Sequence, residues 1–178
     1  MYPGLRLPDR PAGARDPRVM AGWRLIKARL AAYAFSVEGA RLYGGRWSSP
    51  GTPVVYISET LALAALEVLV HVHSRGLPTS YVTCRIDFDS NWSDIVDPGS
   101  LPADWRSSPA TAELRAIGDD WVRVRRSLLL KVPSAIVPQE HNYLINPFSS
   151  GFRQAQHRVP HAVHVRREAV RIQIARTF

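Results

Sequence analysis

Residues 44–73 read GGRWSSPGTPVVYISETLALAALEVLVHVH, and we interpret the rest of the chain around this stretch. It contains a glycine turn, a short β-branched strand at 54–57, a tight connection and a long apolar helix. The pattern predicts the helix over 60–74, with Ser58 as its N-cap and Gly76 and Pro78 beyond its end. Because the helix is apolar on nearly every face, we expect it to be buried in the core.

Glu67 interrupts this apolar helix near its centre. A glutamate is almost never fully buried without a partner, because an unpaired carboxylate is costly in a low-dielectric interior. Upstream, Arg46 follows two glycines and precedes Trp47, which we expect to be exposed. The pattern favours a pocket lined by Arg46 and Glu67. A buried structural ion pair between the two is the alternative.

The composition is that of one globular domain. The 178 residues are 46% hydrophobic and 21% charged, and a chain of this length forms a core without disulfides or metals. The single cysteine, Cys84, excludes an intramolecular disulfide and fits a reducing cytoplasm. We interpret residues 1–22 as a proline-rich arm without signal-peptide features and 23–178 as a single domain. The longest apolar run, 61–72, is too short to span a membrane.

The net charge of +8 indicates which classes of partner the protein could bind. A basic surface suits nucleic acid, an acidic protein or a phosphate-bearing small molecule. The sequence has no zinc-finger spacing, RRM signature or unbroken run of five basic residues, so nucleic acid is not expected. It also has no HExxH, G-x-S-x-G or P-loop motif, so we expect no metal site and no serine-hydrolase or P-loop chemistry.

Alternation and turn residues predict the other elements. We expect a turn at 39–47, a loop at 89–108, a second helix at 111–126, and strands at 23–26, 80–88, on both sides of Pro133 within 128–137, within 139–146 and at 163–174. Segment 27–35 is either a short helix or an extended arm.

A group of polar residues surrounds the strand–helix unit: Arg46, Tyr56 and Glu67, with Ser134 and Asn146 from later segments. Arginine binds phosphate with a bidentate fork, and tyrosine offers a flat face for stacking. A carboxylate hydrogen-bonds a ribose hydroxyl and stabilises a developing cation. The group therefore suits a ligand with phosphates, a planar ring and ribose hydroxyls.

Ordinary structural roles are the alternatives. Tyr56 is then a core residue, Ser134 satisfies the backbone at a proline bulge, and Asn146 is a turn residue. Arg24, in the first strand, is either a solvated residue or a second anion-binding group.

Three segments together carry a family resemblance: GGRW at 44–47, VYISETLALAALEVLVH at 55–71 and VPSAIVPQEHNYLINP at 132–147. They are similar to the RES-domain family, toxins of bacterial toxin–antitoxin pairs whose antitoxins carry an Xre-type DNA-binding domain. The family is named for characteristic Arg, Glu and Ser residues, and Arg46, Glu67 and Ser134 occupy those places. The resemblance covers about 23–147 and leaves out the N-terminal arm and the basic C-terminal end.

The resemblance implies an α/β (α+β) fold, a compact mixed sheet with flanking helices that looks like that of ADP-ribosyltransferases. It implies NAD⁺ as substrate, with Glu67 stabilising the ribose as nicotinamide leaves and Ser134 supporting Arg46 or Glu67. It assigns catalysis to Arg46, Tyr56 and Glu67, and NAD⁺ binding to Arg24, Ser134 and Asn146.

The activity implied is NAD⁺ degradation without a metal, with water or inorganic phosphate as acceptor, blocked by an Xre-type antitoxin that docks on the basic surface. One alternative is an ADP-ribosyltransferase that modifies a protein. The other is a non-enzymatic basic module that binds DNA or protein.

Overall fold

The computed structural model describes residues 19–71, 81–149 and 166–170, with position 71 and the last five described by their backbone alone. The strands are β1 (Val19–Lys27), β2 (Val55–Ser58), β3 (Tyr81–Asp89), β4 (Ser93–Ile95), β5 (Leu129–Pro133), β6 (His141–Ile145) and β7 (Arg166–Val170). The helices are α1 (Glu38–Tyr43), α2 (Leu61–His71) and α3 (Ala112–Val124), with short 3₁₀ segments at Ala28–Tyr33, Ser90–Trp92 and Pro98–Ser100.

One mixed sheet organises the described residues, in the order β4-β5-β6-β2-β1-β3-β7. β4 and β5 are parallel, and the other neighbouring strands are antiparallel. This confirms the predicted mixed sheet with flanking helices. The predicted final strand is present as β7, whereas residues 1–18 of the proline-rich arm and most of the basic C-terminal end lie outside the described residues.

Two segments differ in secondary structure from the prediction. The segment predicted as a turn at 39–47 begins as helix α1, and only its second half, from Gly44 (φ 68°), is a turn. The segment predicted as a loop at 89–108 contains the short strand β4, which pairs with β5 at the edge of the sheet. A strand of three residues is too short for alternation to reveal. Segment 27–35 takes the helical alternative, as the 3₁₀ segment Ala28–Tyr33.

The sheet opens between β1 and β2. β1 pairs with β3 along its whole length, from Val19 opposite Asp89 to Lys27 opposite Tyr81. Its pairing with β2 consists of Trp23 opposite Ser58 alone. Because β2 ends at Ser58, the two strands diverge from this pair back towards Val55, which leaves room for a cleft in the middle of the sheet.

The side chains of β2 divide between two cores, as strand alternation requires. Val55 and Ile57 pack with Phe88 and Tyr143 on one face. Tyr56 packs on the other face against the cluster beneath α3, which contains Trp47. Trp47 is 2% exposed, so its predicted exposure is wrong. The indole fills the space between the sheet and α3, and this puts the turn before it under the same helix.

Helix α2 lies against β1 and β2, and its start differs from the prediction. Ser58 belongs to β2 and is not the N-cap; Thr60 Oγ1 accepts the Leu63 N–H at 3.0 Å instead. The predicted all-round burial is also wrong: among residues 61–70 of α2, only Leu63 and Ala64 are buried, and Val70 is 55% exposed. None of the helices in the described ranges has the length and apolar character needed to cross a bilayer.

Gly118 allows α3 to approach the turn. A Cβ at this position would overlap the backbone carbonyl of Trp47. Glycine weakens a helix by about 1 kcal/mol relative to alanine, so its presence inside α3 is explained by packing rather than by helix propensity.

We predict that Gly118→Ala destabilises the protein by at least about 1–3 kcal/mol, because the added methyl group meets rigid backbone. Gly39→Ala is the matched control, since Gly39 also lies in a helix but a Cβ there meets nothing within 4 Å. Urea unfolding should give a lower free energy of unfolding for Gly118→Ala and an unchanged or higher one for Gly39→Ala. Equal effects would contradict the packing explanation.

Candidate active site

A cavity of about 490 Å³ opens where β1 and β2 diverge. Its wall is formed by residues 23–25 of β1, residues 56–58 of β2, the turn at 44–47 and residues 108–110. Glu67 of α2 and Asn142 of β6 also line it. Cavities of about 300–1,000 Å³ are the usual size of small-molecule sites, so this one can hold a nucleotide-sized ligand.

Asn142 on β6 and Ser134, directly after β5, both donate to the carboxylate of Glu67. Asn142 Nδ2 donates to Glu67 Oε1 at 2.7 Å, and Ser134 Oγ donates to the same oxygen at 3.1 Å. Ser134 is itself fully buried, and its hydroxyl accepts the backbone N–H groups of Ile136 and Val137. These contacts explain how a carboxylate is accommodated in an apolar helix.

Arg46 is anchored by a loop that follows the 3₁₀ segments. Its Nη1 donates to the carbonyl oxygens of Trp105 at 3.0 Å and Ser107 at 2.8 Å. Arg106, between them, donates from Nε to Ala135 O at 3.0 Å. Burial lowers the pKa of Arg46, and the charge of Glu67 acts in the opposite direction. A fixed guanidinium and a fixed carboxylate thus share one cavity.

Tyr56 fastens the glycine turn to the sheet. Its hydroxyl accepts the Trp47 N–H at 3.2 Å and lies 2.9 Å from Ser48 Oγ. Burial raises the pKa of Tyr56 to about 12, although the contacts with Ser48 and Trp47 oppose the shift. The phenol therefore stays neutral at physiological pH, and its hydroxyl is engaged behind the turn.

Asp119 fixes the other end of the turn from α3. Its Oδ1 accepts the Ser49 N–H at 2.9 Å and the Thr52 hydroxyl at 2.6 Å. Burial opposes ionisation, but these hydrogen bonds hold the pKa of Asp119 below its usual range. One turn earlier on α3, Arg115 lines the cavity, and its buried Nε has no hydrogen-bond partner among the described residues.

The two remaining predicted residues differ in their placement. Arg24 lines the cavity, and its buried Nη1 has no hydrogen-bond partner within the described part of the chain. Burial lowers the pKa of this guanidinium. Asn146 is not brought to the cavity: it is fully buried, donates to Val122 O at 3.1 Å and accepts the Phe148 N–H at 2.9 Å. Its contacts are those of a turn residue.

Residues 21–168 match the RES domain family. The chain belongs to the RES-domain family. Among its relatives, a protein of Photorhabdus laumondii named Toxin Res is 42% identical over 132 residues, 74% of this chain and 85% of the relative. A Toxin Res of Yersinia enterocolitica is 34% identical over 131 residues, which make up 74% of this chain and 86% of the relative. A Prs ADP-ribosylating toxin of a Sphingobium species is 40% identical over 63% of this chain and 71% of its own.

The fold of this RES-domain protein is also found in a solved complex. A chain in the crystal structure of the M. tuberculosis MbcT–MbcA toxin–antitoxin complex superposes with a TM-score of 0.62. The match covers 86% of this chain and 84% of the other, at 19% sequence identity. The similarity therefore establishes a shared fold.

Sequence reasoning about this RES-domain chain missed Asn142, Asp119 and Arg115. Asn142 had a detectable signal, because it lies two residues before Leu144 and shares its face of β6, where an apolar residue is expected. Asp119 and Arg115 are polar residues of the amphipathic helix α3, and helical spacing does not show what they meet. The contacts of Asp119 with Ser49 and Thr52 depend on the close approach that Gly118 permits.

We predict that Tyr56→Phe lowers the free energy of unfolding by about 1–3 kcal/mol near pH 8, since the Trp47 N–H and the Ser48 hydroxyl lose their partner. The difference from wild type should narrow as the pH rises from about 10 towards 12. In this range the tyrosine at position 56 loses its proton in the unfolded chain but keeps it in the folded protein. Rising pH therefore favours unfolding of the wild-type protein at this position, and the variant, which has no phenol there, escapes this effect.

Urea unfolding at a series of pH values tests this prediction. Tyr33→Phe is the control, because Tyr33 is 68% exposed. A difference between wild type and Tyr56→Phe that stays constant through pH 12 would show that the buried phenol does not contribute as proposed.

Proposed function

We propose that this RES-domain protein is the toxin of a toxin–antitoxin pair and that it degrades NAD⁺ by cleaving the bond between nicotinamide and ribose. The observation that carries the proposal is the Glu67 carboxylate, oriented by Asn142 and Ser134 in a cavity that arginines also line. The family membership and the names of the relatives, Toxin Res and Prs ADP-ribosylating toxin, support it.

Glu67 acts on the ribose in this proposal. As the bond to nicotinamide breaks, its electron pair leaves with the neutral nicotinamide and positive charge develops on the ribose. A fixed carboxylate stabilises this charge and orients a ribose hydroxyl, without needing to reorganise during the reaction. Water then forms the new bond at the same carbon and releases a proton to solvent, or a phosphate oxyanion forms that bond without releasing a proton.

The arginines and Tyr56 bind the rest of the substrate. Arg24 and Arg46 hold its phosphates. The Nη1 of Arg24 has no hydrogen-bond partner among the residues that the structure describes, and this supports the assignment because a buried donor requires an acceptor. The ring of Tyr56 lies in the cavity wall and stacks on nicotinamide, while its hydroxyl is held behind the glycine turn.

Transfer of ADP-ribose to a protein is the second candidate. The 40% identity to a Prs ADP-ribosylating toxin favours it. Hydrolysis, phosphorolysis and transfer use the same stabilisation of the ribose and differ in the acceptor that reaches it. The proposed regulator is an Xre-type antitoxin whose acidic surface complements the net charge of +8, in accordance with the toxin–antitoxin complex that shares the fold.

We predict that Glu67→Gln reduces NAD⁺ consumption by about 100-fold or more, because the amide is nearly the same size but cannot offset positive charge. Released nicotinamide is measured with purified protein in phosphate buffer and in phosphate-free buffer. Glu113→Gln is the matched control, since Glu113 is exposed in the first turn of α3.

The acceptor decides between the candidates. ADP-ribose that carries a phosphate on the anomeric carbon identifies phosphorolysis, and free ADP-ribose identifies hydrolysis. An increase in the mass of an acceptor protein identifies transfer. If wild-type protein leaves NAD⁺ intact in both buffers and with a cell extract as protein acceptor, the enzymatic proposal is wrong.

A further inference from the structure

Asn142 lies nearer to the Glu67 carboxylate than Ser134 does. Its Nδ2 lies 2.7 Å from Glu67 Oε1, compared with 3.1 Å for the Ser134 hydroxyl. A carboxylate only accepts hydrogen bonds, so the amide has to present its NH₂ group to Glu67. A hydrogen bond to a charged group is stronger and more directional than a neutral one. Asn142 thus restricts the rotation of a side chain that has three torsions.

The backbone of Asn142 is fixed on both sides. It pairs with Ser58 of β2 and with Val132 of β5 in the middle of the sheet. A donor mounted on a central strand does not shift, whereas Glu67 is carried by a helix that lies on the sheet.

The residue before Asn142 adds a further restraint. His141 donates its backbone N–H to Glu59 Oε2 at 3.1 Å, and its Nδ1 lies 2.9 Å from the same oxygen. The Glu59 N–H in turn donates to His141 O at 2.9 Å. Lys131 Nζ is 3.8 Å from the second carboxylate oxygen. This clamp joins the end of β2 to the start of β6, directly beside the Ser58–Asn142 pair.

We propose that Asn142 is a positioning residue, which holds the Glu67 carboxylate in the orientation that faces the reacting ribose. The proposal rests on the NAD⁺ chemistry proposed above. Asn142 lines the cavity with Glu67, so it controls the direction of the carboxylate from within the site. It acts through Glu67 and forms no bond with the reacting atoms.

Steady-state kinetics with NAD⁺ test the proposal. We expect Asn142→Ala and Asn142→Asp to lower kcat by about 10- to 100-fold while KM stays within about twofold, since orientation of Glu67 matters in the transition state. Asn91→Asp is the matched control, because Asn91 is exposed in a 3₁₀ segment away from the cavity. Wild-type kcat in both Asn142 variants would overturn the proposal.

A second measurement does not depend on activity. Asn142→Asp places a carboxylate against Glu67 and should lower the melting temperature, and adding Glu67→Gln should restore it because the new amide donates to the new carboxylate. A melting temperature that the second substitution leaves unrestored would show that the contact does not hold Glu67, and this also overturns the proposal.

The two measurements separate the two proposals. If the double substitution restores stability but the wild-type protein consumes no NAD⁺ with any acceptor, the proposed function is wrong and the positioning role falls with it. If wild-type protein consumes NAD⁺ and the Asn142 variants match it, only the positioning role is wrong.

Discussion

The structure depends on accommodating one carboxylate at the inner side of an apolar helix. Glu67 needs donors because its charge lies partly out of water. Asn142 and Ser134 supply them from β6 and from the end of β5. These hydrogen bonds tie α2 to the sheet at the place where β1 and β2 separate. The interaction that makes the helix compatible with the fold is therefore also the one that points a charge into the cavity.

The glycine turn is held with comparable rigidity from three directions. Tyr56 binds its backbone from the sheet, Asp119 binds its far end from α3, and carbonyl groups of the 105–107 loop hold the Arg46 guanidinium. Each partner comes from a different part of the chain. Opposite charges on Arg46 and Glu67 are consequently kept on rigid supports, and such preorganisation is what electrostatic stabilisation of a transition state requires.

Much of the fold was accessible from local patterns. The alternation in β3 and the turn residues around β2 predicted those strands to within one residue, and helical spacing predicted α3. Local signals are short or ambiguous elsewhere: the pattern predicts a turn where α1 lies and a loop where the three residues of β4 lie. The burial of Trp47 was missed because it depends on a glycine in a helix more than 70 positions away.

Periodicity and residue type in the sequence predict the order of most elements and reveal an unusual glutamate in an apolar helix, and the family resemblance implies the class of fold. Which groups meet that glutamate is visible only in the folded structure. It showed that Asn142, and not Asn146, lies at the cavity, because Asn142 pairs with Ser58 beside α2 whereas Asn146 lies beyond the end of β6 and contacts Val122 of α3. It also showed where Arg46 is anchored. The acceptors are backbone carbonyl groups of a distant loop, and residue types in a sequence do not reveal such acceptors.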